Sequence, residues 1–313
     1  MPEFSVCRER ILSENYFDFI VNQLGQNEFE GIITEDTCQQ ETEFIYQIFH
    51  IEREKAEPLT FGRYSYNAIP KCYTLIDTEA MTQAGILQVQ NYPTLDLQGS
   101  GVIIGFIDTG IDYQNPIFRN LDGSTRIAGI WDQTIQEGEP PRGLSYGTEY
   151  RREQIDEALR GANPLEIVPS RDEESHGTFL ASIAAGGANV ENQFIGAAPD
   201  ATIAMVKLKP AKQYLKDFYE IHTDVECYQE TDIMLALKYL NQLAEELDLP
   251  LVICIAIGTN QGGHSALSPL SGLLEIYSNL EQRAIVIGAG NEANQRHHYL
   301  GQAENVNDVK EVE

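Results

Sequence analysis

Four predominantly apolar runs without polar alternation punctuate the chain from Gly101 onward, at residues 102–107, 202–208, 251–257 and 284–287. A strand that is apolar on both sides must be covered on both sides. These runs therefore predict the buried strands of a parallel sheet with helices above and below. Between the second and third runs, Ile233, Leu237, Leu240 and Leu243 recur at helical spacing and predict a crossover helix with one apolar face. The pattern gives an α/β fold, with Phe179 and Met205 expected in its core and residues 138–143, rich in Gly and Pro, as a surface turn. The first 66 residues read differently. Residues 44–51 form a strand-like run and residues 16–24 have apolar positions compatible with a helix, which predicts a small α+β unit. The stretch from Leu59 to Asn67, followed by Pro70, reads as a junction, dividing the chain into residues 1–66 and 67–313.

With 313 residues and 42% hydrophobic content, the chain is long enough to bury a sizeable core and to hold two domains. Its formal net charge of -27 excludes a nucleic-acid partner, because phosphate binding needs clustered Lys and Arg. The acidic balance reads as a solvated surface, or as a match for a basic partner or substrate. Five cysteines, Cys7, Cys38, Cys72, Cys227 and Cys254, are scattered, odd in number and without ligand spacing. That argues against a disulfide framework or zinc site and fits a reducing compartment. No basic start with an apolar stretch marks a secretory signal, and no run reaches membrane-spanning length, so no membrane partner is expected. Asp122, Asp132 and Glu137 are the candidates for a calcium site, at irregular spacing, and His297-His298 lacks the helical spacing of a zinc pair. No cofactor is otherwise expected.

The chemistry concentrates in three motifs. Asp108 ends the first apolar run in Gly105-Phe106-Ile107-Asp108-Thr109-Gly110, which puts its carboxylate at the carboxyl edge of a parallel sheet, where sites of such folds gather. Alone it would serve as a turn cap. Asp-Thr-Gly is also the triplet of aspartic proteases, but those need a second copy and none occurs. His176 stands in Ser175-His176-Gly177-Thr178, ahead of a small-residue helix and of Gly196-Ala197-Ala198-Pro199-Asp200-Ala201. Asn291 stands in Gly288-Ala289-Gly290-Asn291-Glu292, at the end of the last run. No glycine loop that could cradle a phosphate follows a strand, which sets aside a nucleotide-binding protein.

In order, the three motifs resemble those of the subtilase family of serine proteases. The resemblance implies that Asp108 orients His176, that His176 is the general base, and that Asn291 donates to the oxyanion, an interaction worth roughly 2.7–4 kcal/mol in the transition state. It implies that Gly288, Ala289 and Gly290 line the site. Ile257-Gly258-Thr259-Asn260 is similar to the family's Ser-Leu-Gly-Gly segment, which pairs with substrate backbone as an added strand, although Ile257 and Asn260 depart from the usual small residues. The implied fold is a subtilisin-like core with helices on both faces, preceded by an α+β prodomain. On this likeness residues 1–66 are the chain's own intramolecular inhibitor, with self-cleavage near Tyr64, Ser65 or Tyr66; an unrelated accessory domain is the other reading. Trp131-Asp132-Gln133-Thr134, residues 146–150 and residues 167–172 look like the corresponding text of clostridial spore-germination subtilases, which implies a cytoplasmic or spore-associated location. The family's Gly-Thr-Ser-x-Ala nucleophile segment does not occur, and no Ser, Thr or Cys follows Ser278. The expected function is a serine endopeptidase acting on protein or peptide substrates, present as a catalytically silent fragment lacking its Ser. The alternative is a pseudoprotease that acts by binding.

Overall fold

The computed structural model describes residues 4–22, 29, 31–34, 36–42, 44–75, 97–189, 194–222, 224–262 and 265–288. The N-terminal unit opens with helix α1 (Phe4–Leu12), followed by strands β1 (Tyr16–Asn22), β2 (Cys38–Glu41) and β3 (Tyr46–Glu52). The three strands form an antiparallel sheet with β3 in the middle, and one-turn helix α2 (Arg53–Ala56) follows. The helix expected over residues 16–24 is therefore a strand. Its residues from Phe17 to Val21 are all buried, because Ile20 packs toward the body of the protein while Phe17, Phe19 and Val21 join Phe29, Tyr64 and Tyr214. A run buried on both faces has no period of its own, and its aromatic and β-branched residues settle for the pleat.

A further expectation changes here. Cys7 on α1 and Cys38 on β2 are disulfide-bonded, with Cα atoms 5.5 Å apart, so the scattered cysteines do include a pair. Sequence distance conceals it, since α1 lies against β2 across 31 residues. Tyr64, Ala68, Ile69 and Cys72 share one buried cluster with Phe19 of the N-terminal unit and Tyr214 and Leu215 of the main body.

Strand β4 (Cys72–Leu75) leads toward the main body. There, in chain order, come β5 (Ile103–Asp108), β6 (Ile127–Asp132), β7 (Thr148–Arg151), α3 (Arg152–Arg160), α4 (His176–Ala185) and β8 (Thr202–Lys207). They are followed by α5 (Gln213–Phe218), β9 (Tyr228–Gln229), α6 (Glu230–Leu247), β10 (Leu251–Ile255), β11 (Ile257–Gly258), α7 (Pro269–Ser278) and β12 (Arg283–Ile287). Six strands form one sheet in the order β12-β10-β5-β8-β6-β7, parallel throughout except for β7 against β6. All four apolar runs are strands of it.

Alternate residues of each strand serve opposite faces. Ile103, Ile107, Val206, Ile253 and Ile255 pack under α6 and α7, through Ile233, Leu237, Leu240, Leu243 and Leu273. Ile104, Phe106, Ile203 and Met205 pack on the other face against Ala181 and Ala185 of α4 and Ile155 of α3. Helices thus cover both faces, as expected, and Met205 is core. Phe179 is not: it is 48% exposed, because α4 turns Gly177, Leu180, Ala181 and Ala185 toward the sheet and residue 179 points the other way. At the edge of the described sheet, Val286 and Ile287 of β12 are also more than half exposed, unlike the inner strands. Among the described residues no helix is long and apolar enough to cross a membrane.

Candidate active site

Asp108 is the last residue of β5, the strand held between β10 and β8, and is 1% exposed. Its Oδ1 accepts hydrogen bonds from the Thr109 backbone N–H at 2.8 Å and from His176 Nδ1 at 2.8 Å, with the Thr109 hydroxyl at 3.2 Å. His176 is the first residue of α4, preceded by Ser175 in the left-handed region (φ 64°). That turn aims the imidazole back at the strand end. With Nδ1–H committed to Asp108, Nε2 is the basic nitrogen, the tautomer a general base requires.

Close backbone contact sets the separation. A side chain on Gly177 would bring its Cβ to 2.2 Å from the Gly110 carbonyl oxygen and 3.0 Å from Asp108 Oδ1, so the helix approaches the strand end only because residue 177 is Gly. Gly110, at φ 127°, makes the complementary turn.

Asp172 and Lys207, which the motif reading did not single out, hold the pair in place. Asp172 accepts from Thr109 Oγ1 (2.7 Å) and the Ser175 N–H (3.0 Å) through Oδ1, and from the N–H (2.8 Å) and hydroxyl (2.6 Å) of Thr178 through Oδ2. Thr109 Oγ1 in turn accepts from the Gly177 N–H at 2.9 Å. One carboxylate thus ties the residue after Asp108 to the helix that starts at His176. Lys207, beside Asp108 on β8, donates to the Arg171 carbonyl at 2.6 Å and pairs with Glu173, anchoring the loop before His176. For Asp172 the signal was available: an Asp just ahead of a helix start is a capping residue. Cys254 lies on β10, next to the strand of Asp108. Burial and the Asp108 carboxylate push its thiol up to about 11, so it is a neutral packing group rather than a nucleophile.

Past the carboxyl end of β10, the chain enters a separate three-stranded sheet. Ile257 and Gly258 pair antiparallel with Leu75 and Thr74, while Cys72 and Tyr73 pair with Gln229 and Tyr228 of β9. Strand β4 therefore runs between β11 and β9. Gln261 Oε1 accepts from the Cys72 N–H at 3.1 Å, and the Gln261 N–H donates to Thr259 Oγ1 at 3.1 Å. The Cys72 thiol, kept neutral by its contact with Cys227 and by burial, lies in the same wall. Just upstream, Lys71 and Glu230 form a buried ion pair. Gly288 donates to the Ile255 carbonyl at the end of β12; Ala289, Gly290 and Asn291 lie outside the described residues, as do His297 and His298. The calcium candidates are not gathered. Asp122 is exposed and caps Ser124, Asp132 is buried and accepts from Thr134 and Ser170, and Glu137 accepts from Gln136. Among the described residues no three His, Cys, Asp or Glu side chains group as metal ligands.

A buried Asp–His pair thus stands at the carboxyl edge of a parallel α/β sheet, and the segment that follows β10 pairs with an extended strand. The chain belongs to the subtilase family, whose model matches residues 99–313. It is similar to the CspB protease of Clostridium perfringens, with 35% identity and a TM-score of 0.56 over 67% of this chain and 40% of that one. Among curated proteins it is 28% identical over 152 residues to subtilisin-like protease SBT3.12 of Arabidopsis thaliana, and 33% identical over 127 residues to SBT2.1 of the same plant. The matches cover 44% and 35% of this chain but only 19% and 15% of those proteases.

Proposed function

We propose that the protein is a serine endopeptidase in which His176 takes the proton of a Ser hydroxyl as it attacks a peptide carbonyl. Asp108 holds the His tautomer and stabilises the imidazolium that forms. The Ser is assigned to a Gly-Thr-Ser-x-Ala segment outside these 313 residues, and Asn291 to the oxyanion. The observation that carries the reading is the 2.8 Å Asp108–His176 bond at the carboxyl edge of the parallel sheet, and Ile257 and Gly258, which follow β10, pair with an extended strand. That strand, β4, supports residues 1–75 as the inhibitory prodomain, with the cut C-terminal to Leu75. Tyr64 is a poor cleavage site, since it is 1% exposed and its hydroxyl donates to the Ala56 carbonyl. A cytoplasmic or spore-associated location belongs to the same proposal and rests on the family likeness alone.

The test is the full-length gene product. It should react with a fluorophosphonate and acquire a new N terminus beyond Leu75, and His176→Ala should lose both properties while remaining folded. Self-cleavage in that variant would place the base elsewhere. A wild-type protein that neither labels nor cuts would instead be a pseudoprotease.

A further inference from the structure

We propose that the Glu230 carboxylate selects a lysine or arginine side chain in the peptide that this edge accepts, at the position one residue N-terminal to the paired stretch. The inference rests on the peptidase reading above and names the substrate class, a basic peptide segment. Lys71 occupies that position now. Its backbone is bonded both ways to the first residue of α6: the Glu230 N–H donates to the Lys71 carbonyl at 2.7 Å, and the Lys71 N–H donates to Glu230 Oε2 at 3.1 Å. This extends the β4–β9 ladder by one residue, so any peptide in the same register would place its side chain where that of Lys71 lies.

The groups around the Lys71 ammonium divide into those that would leave with the tail, residues 1–75 of the proposed prodomain, and those that stay. The Tyr66 carbonyl (2.6 Å), the Ile69 carbonyl (2.9 Å) and the Tyr66 ring (4.4 Å to its centre) belong to the tail itself. Glu230 Oε2, 3.6 Å from the ammonium, belongs to the main body, and its other oxygen is fixed by the Leu270 N–H of α7 at 3.1 Å. A replacement peptide therefore meets a carboxylate whose position is set by two helices and whose counter-charge has gone. The Glu230 and Lys71 side chains are 0% and 2% exposed, and burial pushes the carboxyl up and the amine down, so each charge depends on the other. Removing one partner of such a pair strands the other charge, which penalises neutral and acidic residues more than it rewards basic ones. The net charge of -27 biases the surroundings the same way.

The experiment uses the full-length protein and four peptides carrying the sequence of residues 67–84 with Lys, Arg, norleucine or Glu at position 71. Lys and Arg peptides should be cut alike. The norleucine peptide should fall roughly five- to twentyfold in kcat/KM, mainly through KM, and the Glu peptide further. Glu230→Gln should bring the four together, and the peptide series carries the test even if that variant fails to fold. Equal cleavage of all four by wild type overturns the inference and leaves the peptidase reading intact. If none is cut, that reading has failed, and anisotropy of the same peptides labelled with fluorescein decides the edge alone: binding ranked by charge supports the inference, equal binding overturns it.

Discussion

Asp172→Ala will destabilise the protein by about 2–3 kcal/mol, a magnitude that follows from sorting its four donors. The Ser175 N–H is exposed and regains water. Thr109 Oγ1 has Asp108 Oδ1 within 3.2 Å and turns to it. The Thr178 N–H and hydroxyl are part-buried and lose their acceptor, at about 1 kcal/mol each, and the first turn of α4 loses a favourable negative charge worth about 0.3–1 kcal/mol. Asp172→Asn keeps one acceptor oxygen and should lose about half as much. Urea unfolding of the chain at neutral pH reads the difference directly. With a slope of about 3 kcal/mol per molar, the alanine variant moves its midpoint down by roughly 0.7–1 M. A shift under about 0.2 M would refute the reasoning, since water would then replace every bond. A double-mutant cycle with Thr109→Val adds a second check: because the Thr109 hydroxyl turns to Asp108 when Asp172 is removed, the two changes should add within about 0.5 kcal/mol, and stronger coupling would show that the lost bond is not replaced.

Gly177→Ala forces the loop of residues 108–110 away from α4, and should lower stability by about 1–3 kcal/mol and lengthen the Asp108–His176 contact. A thermal melt matching wild type would show that the contact relaxes freely. Acidification should loosen the N-terminal unit. Burial lowers the pKa of His50 despite the Asp18 carboxylate beside it, with Lys212 and Lys209 also facing the ring and Gln40 on its other nitrogen. The folded state therefore binds the His50 proton less readily than the unfolded chain does, and stability falls as pH drops below about 6.5. Burial would raise Asp18, but Lys212 and His50 hold it well below its ordinary range, so its own loss comes only at more acid pH. Urea midpoints that do not change between pH 7.5 and 5.5 would contradict this.

The strands that carry the site were legible because their physics is local. A parallel strand covered on both faces must be apolar at every position, and residues 102–107 and 251–257 read that way without any partner in view. The Asp108 and His176 motifs were legible for a related reason: their small residues, Gly110 and Gly177, mark backbone contacts that no other residue allows. The same logic misread β1, where burial on two faces comes from the N-terminal unit meeting the main body. It also misplaced Phe179, because a lone aromatic in a helix of small residues does not declare its face. Asp18, His50 and Lys212, or Lys71 and Glu230, could not be read at all. Such partners lie up to 194 residues apart, and nothing in the local spelling of a Lys says that it will be buried.

On the proposed peptidase reading, the threading of β4 between β9 and β11 turns recognition at this edge into a contest of concentrations. While the chain is continuous, β4 competes from a tether anchored at Ile69 and Tyr64, at an effective concentration in the millimolar range for a short link. Any free peptide must reach comparable levels to displace it. A cut beyond Leu75 leaves that anchor in place, so on the proposed reading the edge opens only when residues 1–75 come away as a unit, and dilution acts on that release.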